Sequence, residues 1–257
     1  MESRGNEKNL GLRITVVIPT TWFRRLVFFL FVMEVGGGVL WAAAKLAPDQ
    51  GHANLLQTVG SLVFLFGFYA GMPLVARYLA PQPCTDPARQ TRLASLLQRY
   101  GSSCPVFLSE HPDKEANTVG LWPSQSRIYI TTGLFDRMSD EGLIGILGHE
   151  NTHARERHIL VGFVYACIFA LGSYASDSRT FFVVGFLLFL GLRRYMEYRA
   201  DAGGALLAGP ASMSTGLREL AILYPSAAWH RWLTIIMAYP TLPMRLRALE
   251  TKRPALL

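Results

Sequence analysis

The residues of this chain best suited to do chemistry are His149-Glu150-Asn151-Thr152-His153, two histidines four positions apart with a glutamate beside the first. On an α-helix, residues four apart share one face, about a turn from each other. Both imidazoles can then meet one tetrahedral zinc at ~2.0–2.1 Å. Glu150 projects beside that metal, where its carboxylate can take a proton from water as the general base of a hydrolysis. Residue frequencies alone produce such a pentapeptide in about one chain in a hundred of this length, so the motif needs a partner. A catalytic zinc calls for a third protein ligand, and Tyr195-Met196-Glu197-Tyr198-Arg199-Ala200-Asp201 offers one. Glu197 can ligate, while Asp201, four residues on and on the same face, can accept a hydrogen bond from a ligating imidazole and fix its tautomer. Alone, Glu197 reads as a solvated carboxylate in an Arg-rich helix. Its place directly after an apolar hairpin is what marks it out. One zinc per chain is therefore the expected cofactor, and metal-assisted peptide hydrolysis the expected chemistry.

The other histidines are weaker candidates. His158 stands nine positions past His149, on the opposite face of an unbroken helix, and reads as an interfacial residue. His52, His111 and His230 have no ligand-like neighbours in sequence.

Several elements must position these residues. Ser139-Asp140-Glu141 is a helix start, a capping hydroxyl followed by negative charge at the positive helix end. The helix that follows carries the first motif. Residues 87–100 place Leu93, Leu96 and Leu97 on one helical face, with Gly101 as a stop. Pro105 to Ser109, Ala116 to Leu121 and Arg127 to Thr132 are short β-prone runs separated by turn residues.

Around this polar core lie four apolar segments. Residues 26–44 hold one charge, Glu34, and residues 55–76 hold none; both are about long enough to cross a bilayer. Glu34 is costly in lipid and is expected to face other helices or water. Residues 159–175 and 180–192 fall short of the roughly 20 residues a span needs and form a second hairpin, inserted fully or in part. A buried hairpin of a soluble core is the alternative for them. The chain thus divides into a tail (1–25), a transmembrane hairpin (26–76), a first catalytic part (77–158), a second apolar hairpin (159–192) and a second catalytic part (193–257). The fold class expected is a mainly helical α+β membrane protein, with a cytoplasmic zincin-like domain containing a small β-sheet.

Composition supports lipid contact. Hydrophobic residues make up 51 % of the 257 positions and charged residues 17 %, against roughly 25 % charged in soluble domains. The net charge of +7 suits nucleic acid or an anionic membrane surface. Lys and Arg sit mostly beside the apolar runs, which favours the bilayer as partner and argues against nucleic acid. Five basic residues lie in the tail (Arg4, Lys8, Arg13, Arg24, Arg25), nine in 77–158 and nine in 193–257. The loops after the first and third apolar runs hold only Lys45 and Arg179. Basic residues collect on the cytoplasmic side, so the tail and both polar parts are expected there, in a multi-pass protein of the cell (inner) membrane. The first apolar run reads as a retained anchor, since no small-residue cleavage site follows it. Cys84, Cys104 and Cys167, an odd set without metal spacing, read as reduced thiols.

With these motifs in place, the chain resembles the HtpX heat-shock protease and CAAX prenyl protease family of membrane gluzincins, from the first apolar run onward. The resemblance rests on two spans before the catalytic helix, Ala116-Asn117 opening a strand, Ile128 to Leu134 leading into HExxH, and an apolar hairpin. It continues with ExxAD and the segment Pro240-Thr241-Leu242-Pro243-Met244-Arg245. It implies that His149, His153 and Glu197 bind zinc, that Glu150 is the base, that Asn117 contacts substrate backbone and that Arg245 belongs to the active site. The family usually has His where this chain has Tyr239; the tyrosine hydroxyl either stabilises the oxyanion or is structural. The implied activity is endopeptidase action on membrane or membrane-proximal proteins, in quality control. A prenyl-protein peptidase of the same chemistry and a non-catalytic membrane scaffold are the alternatives.

Overall fold

The computed structural model describes residues 20–79, 82–176, 178–225 and 239–252. The tail residues Arg4, Lys8 and Arg13, the turn residue Asp177 and His230 lie outside the described residues.

Two long helices come first, α1 (Thr20–Leu46) and α2 (Gln50–Leu79). They are joined by a turn of three residues, 47–49, shorter than the Lys45–Asn54 loop expected from its turn residues. Asp49 explains the difference: its carboxylate accepts from the backbone N–H of His52 at 2.9 Å and so starts α2 early. The pair approach closely at Gly60, whose missing side chain leaves Leu40 just 3.0 Å from where a Cβ would stand.

A polar layer follows. Helix α3 (Pro87–Tyr100) is capped by Asp86 and ends at Gly101, which takes the left-handed conformation (φ 71°) that a stop there requires. Strands β1 (Val106–Ser109), β2 (Ala116–Val119) and β3 (Arg127–Thr131) form a sheet in the order β1-β3-β2. β1 runs parallel to β3 and β2 antiparallel to it, with Asn117 opposite Tyr129. β2 is consequently an edge, and among the described residues it pairs on one side only. The inner face of the sheet buries Leu108, Ile128 and Ile130 against Leu93 and Leu96 of α3 and Leu143 and Leu147 of the next long helix. Periodicity puts each of these side chains on one face of its own element, because strands alternate faces and helices return every 3.6 residues.

A short helix, α4 (Thr132–Phe135), leads to α5 (Asp140–Arg155), where the Ser139 hydroxyl accepts from the free backbone N–H of Gly142, the cap expected there. Then come α6 (His158–Ser176), α7 (Arg179–Ala208), α8 (Pro210–Leu223) and α9 (Leu242–Thr251). The apolar run 180–192 is only the first part of α7, and the helix continues unbroken through Glu197 and Asp201 to Ala208. At 1.5 Å per residue, its 30 residues reach about 45 Å.

Glycines let α5 lie almost backbone to backbone on its neighbours. A Cβ on Gly145 would stand 2.2 Å from the carbonyl oxygen of Ser212 at α8, and one on Gly148 would stand 3.0 Å from that of Gly204 on α7. A Cβ on Gly204 would in turn be 2.9 Å from the backbone nitrogen of His149. This crossing sets the distance between the two sequence motifs.

Aromatic contacts join the two hairpins, with Phe66 of α2 against Phe163 of α6 at 6.1 Å between ring centres. Phe31, Trp41, Val63, Ile168 and Leu188, drawn from α1, α2, α6 and α7, are each more than half exposed. Among the described residues one helical stretch, Gln50–Gly71, is by itself long and apolar enough to cross a membrane; α5 and α6 meet that test only as a pair bent by 45°. Glu34 is exposed on α1.

Candidate metal centre

Where α5 crosses α7, His149 and His153 meet Glu197. The His149 Nε2 and His153 Nε2 atoms are 3.1 Å apart. Glu197 Oε2 lies 3.5 Å from His149 Nε2, and Glu197 Oε1 lies 3.7 Å from His153 Nε2. Ligands on a tetrahedral zinc at ~2.0–2.1 Å are separated by roughly 3.3–3.4 Å, so these spacings bracket what one such ion needs. Two imidazoles and a carboxylate are also a donor set that zinc takes in catalytic sites. The residues therefore fit the expected metal.

Two of these three residues, His149 and Glu197, have supporting partners. Asp201 Oδ1 lies 2.9 Å from His149 Nδ1, leaving the Nε2 lone pair free to point at the cluster. Asp201 also accepts two bonds from Arg245, from Nε at 2.8 Å and from Nη2 at 2.6 Å. Arg245 reaches further, its Nη1 standing 3.5 Å from Glu197 Oε2. Sequence reasoning placed Arg245 in the site; the structure shows that it docks on Asp201 from α9.

The electrostatics follow from this packing. Burial opposes a charge on Glu197, but His149 and Arg245 outweigh it and hold the carboxyl well below its usual range. Burial and the Arg245 charge work against protonation of His149, and the bonds to Asp201 and Glu197 lift it nonetheless to about 9. Burial, reinforced by His149, pushes His153 well below the ordinary histidine value. Burial likewise raises Glu150, with His149 and Thr118 acting the other way.

Glu150 does not join the cluster. Its Oε2 accepts a bond from the Thr118 hydroxyl at 2.7 Å. The same hydroxyl is 2.8 Å from the Glu150 backbone oxygen, so α5 is tied to β2 at this point. Strand alternation puts neighbouring side chains of β2 on opposite faces. Thr118 faces the glutamate, whereas Asn117 is exposed and borders the cleft from the outer side. Sequence reasoning singled out Asn117 and missed Thr118, although a hydroxyl one position along the same strand was a visible signal.

Tyr239 lines the same cleft and is half exposed, its hydroxyl accepting a bond from Arg193. Arg193 also stacks on the tyrosine ring at 4.9 Å. Arg193 precedes Glu197 by four residues on α7, a one-turn spacing that could have marked it. The cleft measures about 890 Å³ and runs along β2 past the three ligands.

His158 overturns an expectation. It is not on a far face: its Nδ1 lies 2.8 Å from His153 Nδ1 and the residue is buried. The reason is a break between α5 and α6. Arg157 adopts φ 57°, a left-handed conformation uncommon outside glycine, and the chain bends by 45°. A 3.6-residue count across that break points the wrong way.

A largely buried triangle of two imidazoles and a carboxylate, with a separate carboxylate beside it and a strand edge along the cleft, is the arrangement that a metal-dependent hydrolase needs. Residues 85–253 match the family model of peptidase family M48, so the chain belongs to that family of metallopeptidases and is HtpX-like within it. Protease HtpX of Legionella pneumophila (strain Corby) is 28 % identical over 158 residues, covering 50 % of this chain and 56 % of the relative. The chain thus spans little more than half of that relative's length. A protease HtpX homolog of Thermodesulfovibrio yellowstonii is 24 % identical over 227 residues, covering 76 % of each chain. Among solved structures, S. mikatae Ste24p shares the fold with a TM-score of 0.59 at 18 % identity, over 89 % of this chain and 66 % of that one.

Proposed function

We propose that the protein is a membrane-embedded zinc endopeptidase that cleaves membrane or membrane-proximal proteins, with protein quality control as its role. The observation that carries the reading is the set of ligand spacings of 3.1, 3.5 and 3.7 Å beside an independent carboxylate. His149, His153 and Glu197 would hold one zinc, which supplies a Lewis acid for the scissile carbonyl and makes water a stronger acid.

The protein's own groups do the rest. Glu150 takes a proton from water as the oxygen attacks the carbonyl carbon, then delivers it to the leaving amine as the C–N bond breaks. The Thr118 hydroxyl holds that carboxylate in place. The open edge of β2 can pair with an extended substrate strand, giving affinity through main-chain bonds with little dependence on sequence. Asn117, on that edge, would touch the substrate backbone. Tyr239 lines the cleft and would offer its hydroxyl to the developing oxyanion, with Arg193 stacked on its ring. Arg245 acts through Asp201 and Glu197. An intact Glu150 argues against a scaffold that retains metal for structure alone, because a structural zinc needs no base.

Purified protein is expected to carry about one zinc per chain, and a His149→Ala/His153→Ala variant none. Metal analysis decides it; a zinc-free wild type, or an undiminished content in the double variant, would remove the assignment.

For the membrane, the reading draws on the exposed apolar side chains of α1, α2, α6 and α7, since contiguous patches of this kind are rarely left to water. Charge then orients the chain. Residues 46–53 face away from the cytoplasm, and 77–158 and 193–257 face it. Single cysteines at positions 48 and 90 should therefore label from opposite sides of sealed vesicles. Labelling of position 90 from the outer side alone would invert the topology and the route by which substrate arrives.

A further inference from the structure

We propose that His158 is a positioning residue for the metal ligand His153, the counterpart on α6 of what Asp201 does for His149 from α7. The proposal rests on the zinc reading above and adds a residue to it.

The argument is one of proton accounting. His153 turns its Nε2 toward His149 and Glu197 and its Nδ1 toward His158. An imidazole that offers a lone pair at Nε2 carries its hydrogen at Nδ1. That hydrogen needs an acceptor, and the atom 2.8 Å away is His158 Nδ1. His158 then carries its own hydrogen at Nε2, where the Glu156 carboxylate lies at 3.3 Å. Glu156 is fixed in turn by Arg199, which donates to it from Nε at 3.1 Å and from Nη2 at 2.7 Å. Every nitrogen in the chain His153–His158–Glu156–Arg199 thus has one consistent role. A carboxylate ends it, as one backs His149 directly.

The backbone is shaped for this contact. The left-handed Arg157 stands between Glu156, the cap that ends α5, and His158, the first residue of α6, and the 45° bend there leaves His158 against His153. His158 is 6 % exposed although it begins a helix that follows a polar stretch. A polar ring buried at such a place calls for a partner, and its partners are a metal ligand and a carboxylate.

The test is chelator competition for zinc with detergent-purified full-length protein: wild type, His158→Leu and His158→Asn. An asparagine amide oxygen can stand where His158 Nδ1 stands, so it keeps the acceptor while losing the ring. His158→Leu is expected to bind zinc about 10–100-fold more weakly, the range seen when such supporting partners are removed. His158→Asn should recover most of that loss. In the cobalt(II)-substituted protein, the visible bands of His158→Leu should shift and those of His158→Asn should stay near wild type, a readout independent of activity. Leucine binding zinc as tightly as wild type, or asparagine as weakly as leucine, overturns the proposal. Should His158→Leu fail to fold, judged by circular dichroism, the Asn variant still decides: wild-type affinity supports the acceptor role, and a tenfold loss overturns it. Wild type without zinc would instead remove the metal reading beneath it.

Discussion

Glu150→Gln is expected to keep its zinc and lose proteolysis by about 10²–10⁴-fold, the range general acid–base groups contribute. Glutamine matches glutamate in shape and retains an oxygen for the Thr118 hydroxyl, which now bonds Glu150 Oε2 at 2.7 Å. It cannot take the proton of the attacking water. Because Glu150 lies outside the triangle of His149, His153 and Glu197, metal binding and chemistry should separate cleanly in this variant. Zinc content and casein cleavage, measured on the same preparation, test both halves. Cleavage within tenfold of wild type would mean another base or another reaction, and loss of zinc together with activity would mean that Glu150 is part of the metal site.

Asp201→Asn should have the next largest effect, on affinity and stability together. Asp201 is 2 % exposed and serves two partners, His149 Nδ1 and the fork of Arg245. An amide presents an NH₂ where one of these donors now finds oxygen. It also leaves Arg245, itself largely buried, with Glu197 at 3.5 Å as its remaining carboxylate partner in the cluster. Breaking a buried ion pair from one side costs about 3–5 kcal/mol. Loss of the bond to a ligating histidine weakens metal binding by about 10–100-fold. A solvated surface aspartate would show neither effect, since such substitutions stay within about 0.5 kcal/mol. Chelator competition and a thermal melt of the variant beside wild type give the two quantities. Unchanged zinc affinity would demote Asp201 to a structural anchor for Arg245.

These two residues illustrate how unevenly the site could be read from the chain. The candidate ligands were legible because helical spacing is local: His149 with His153, and Glu197 with Asp201, fall on one face wherever a helix forms. The cap at Ser139 and the stop at Gly101 were readable for the same reason, each depending on a few consecutive residues. The three strands also lie where β-prone runs and turn residues placed them.

What sequence spacing could not supply was the relation between those pieces. That Thr118, not Asn117, meets Glu150 depends on which face of β2 turns toward α5, and a single step along a strand reverses it. That Arg245 closes on Asp201 depends on where α9 docks against α7. Arg157 bends the chain without a glycine to announce the turn, so His158 was misplaced by half a helical turn. The sequence by itself therefore determined which residues are candidate ligands and how they pair on each helix, because that follows from hydrogen-bonded periodicity within one element. Only the tertiary structure decided the distance between the pairs and the partners behind them. Those rest on the close crossing at Gly148 and Gly204, where two backbones come within reach only because neither residue carries a side chain.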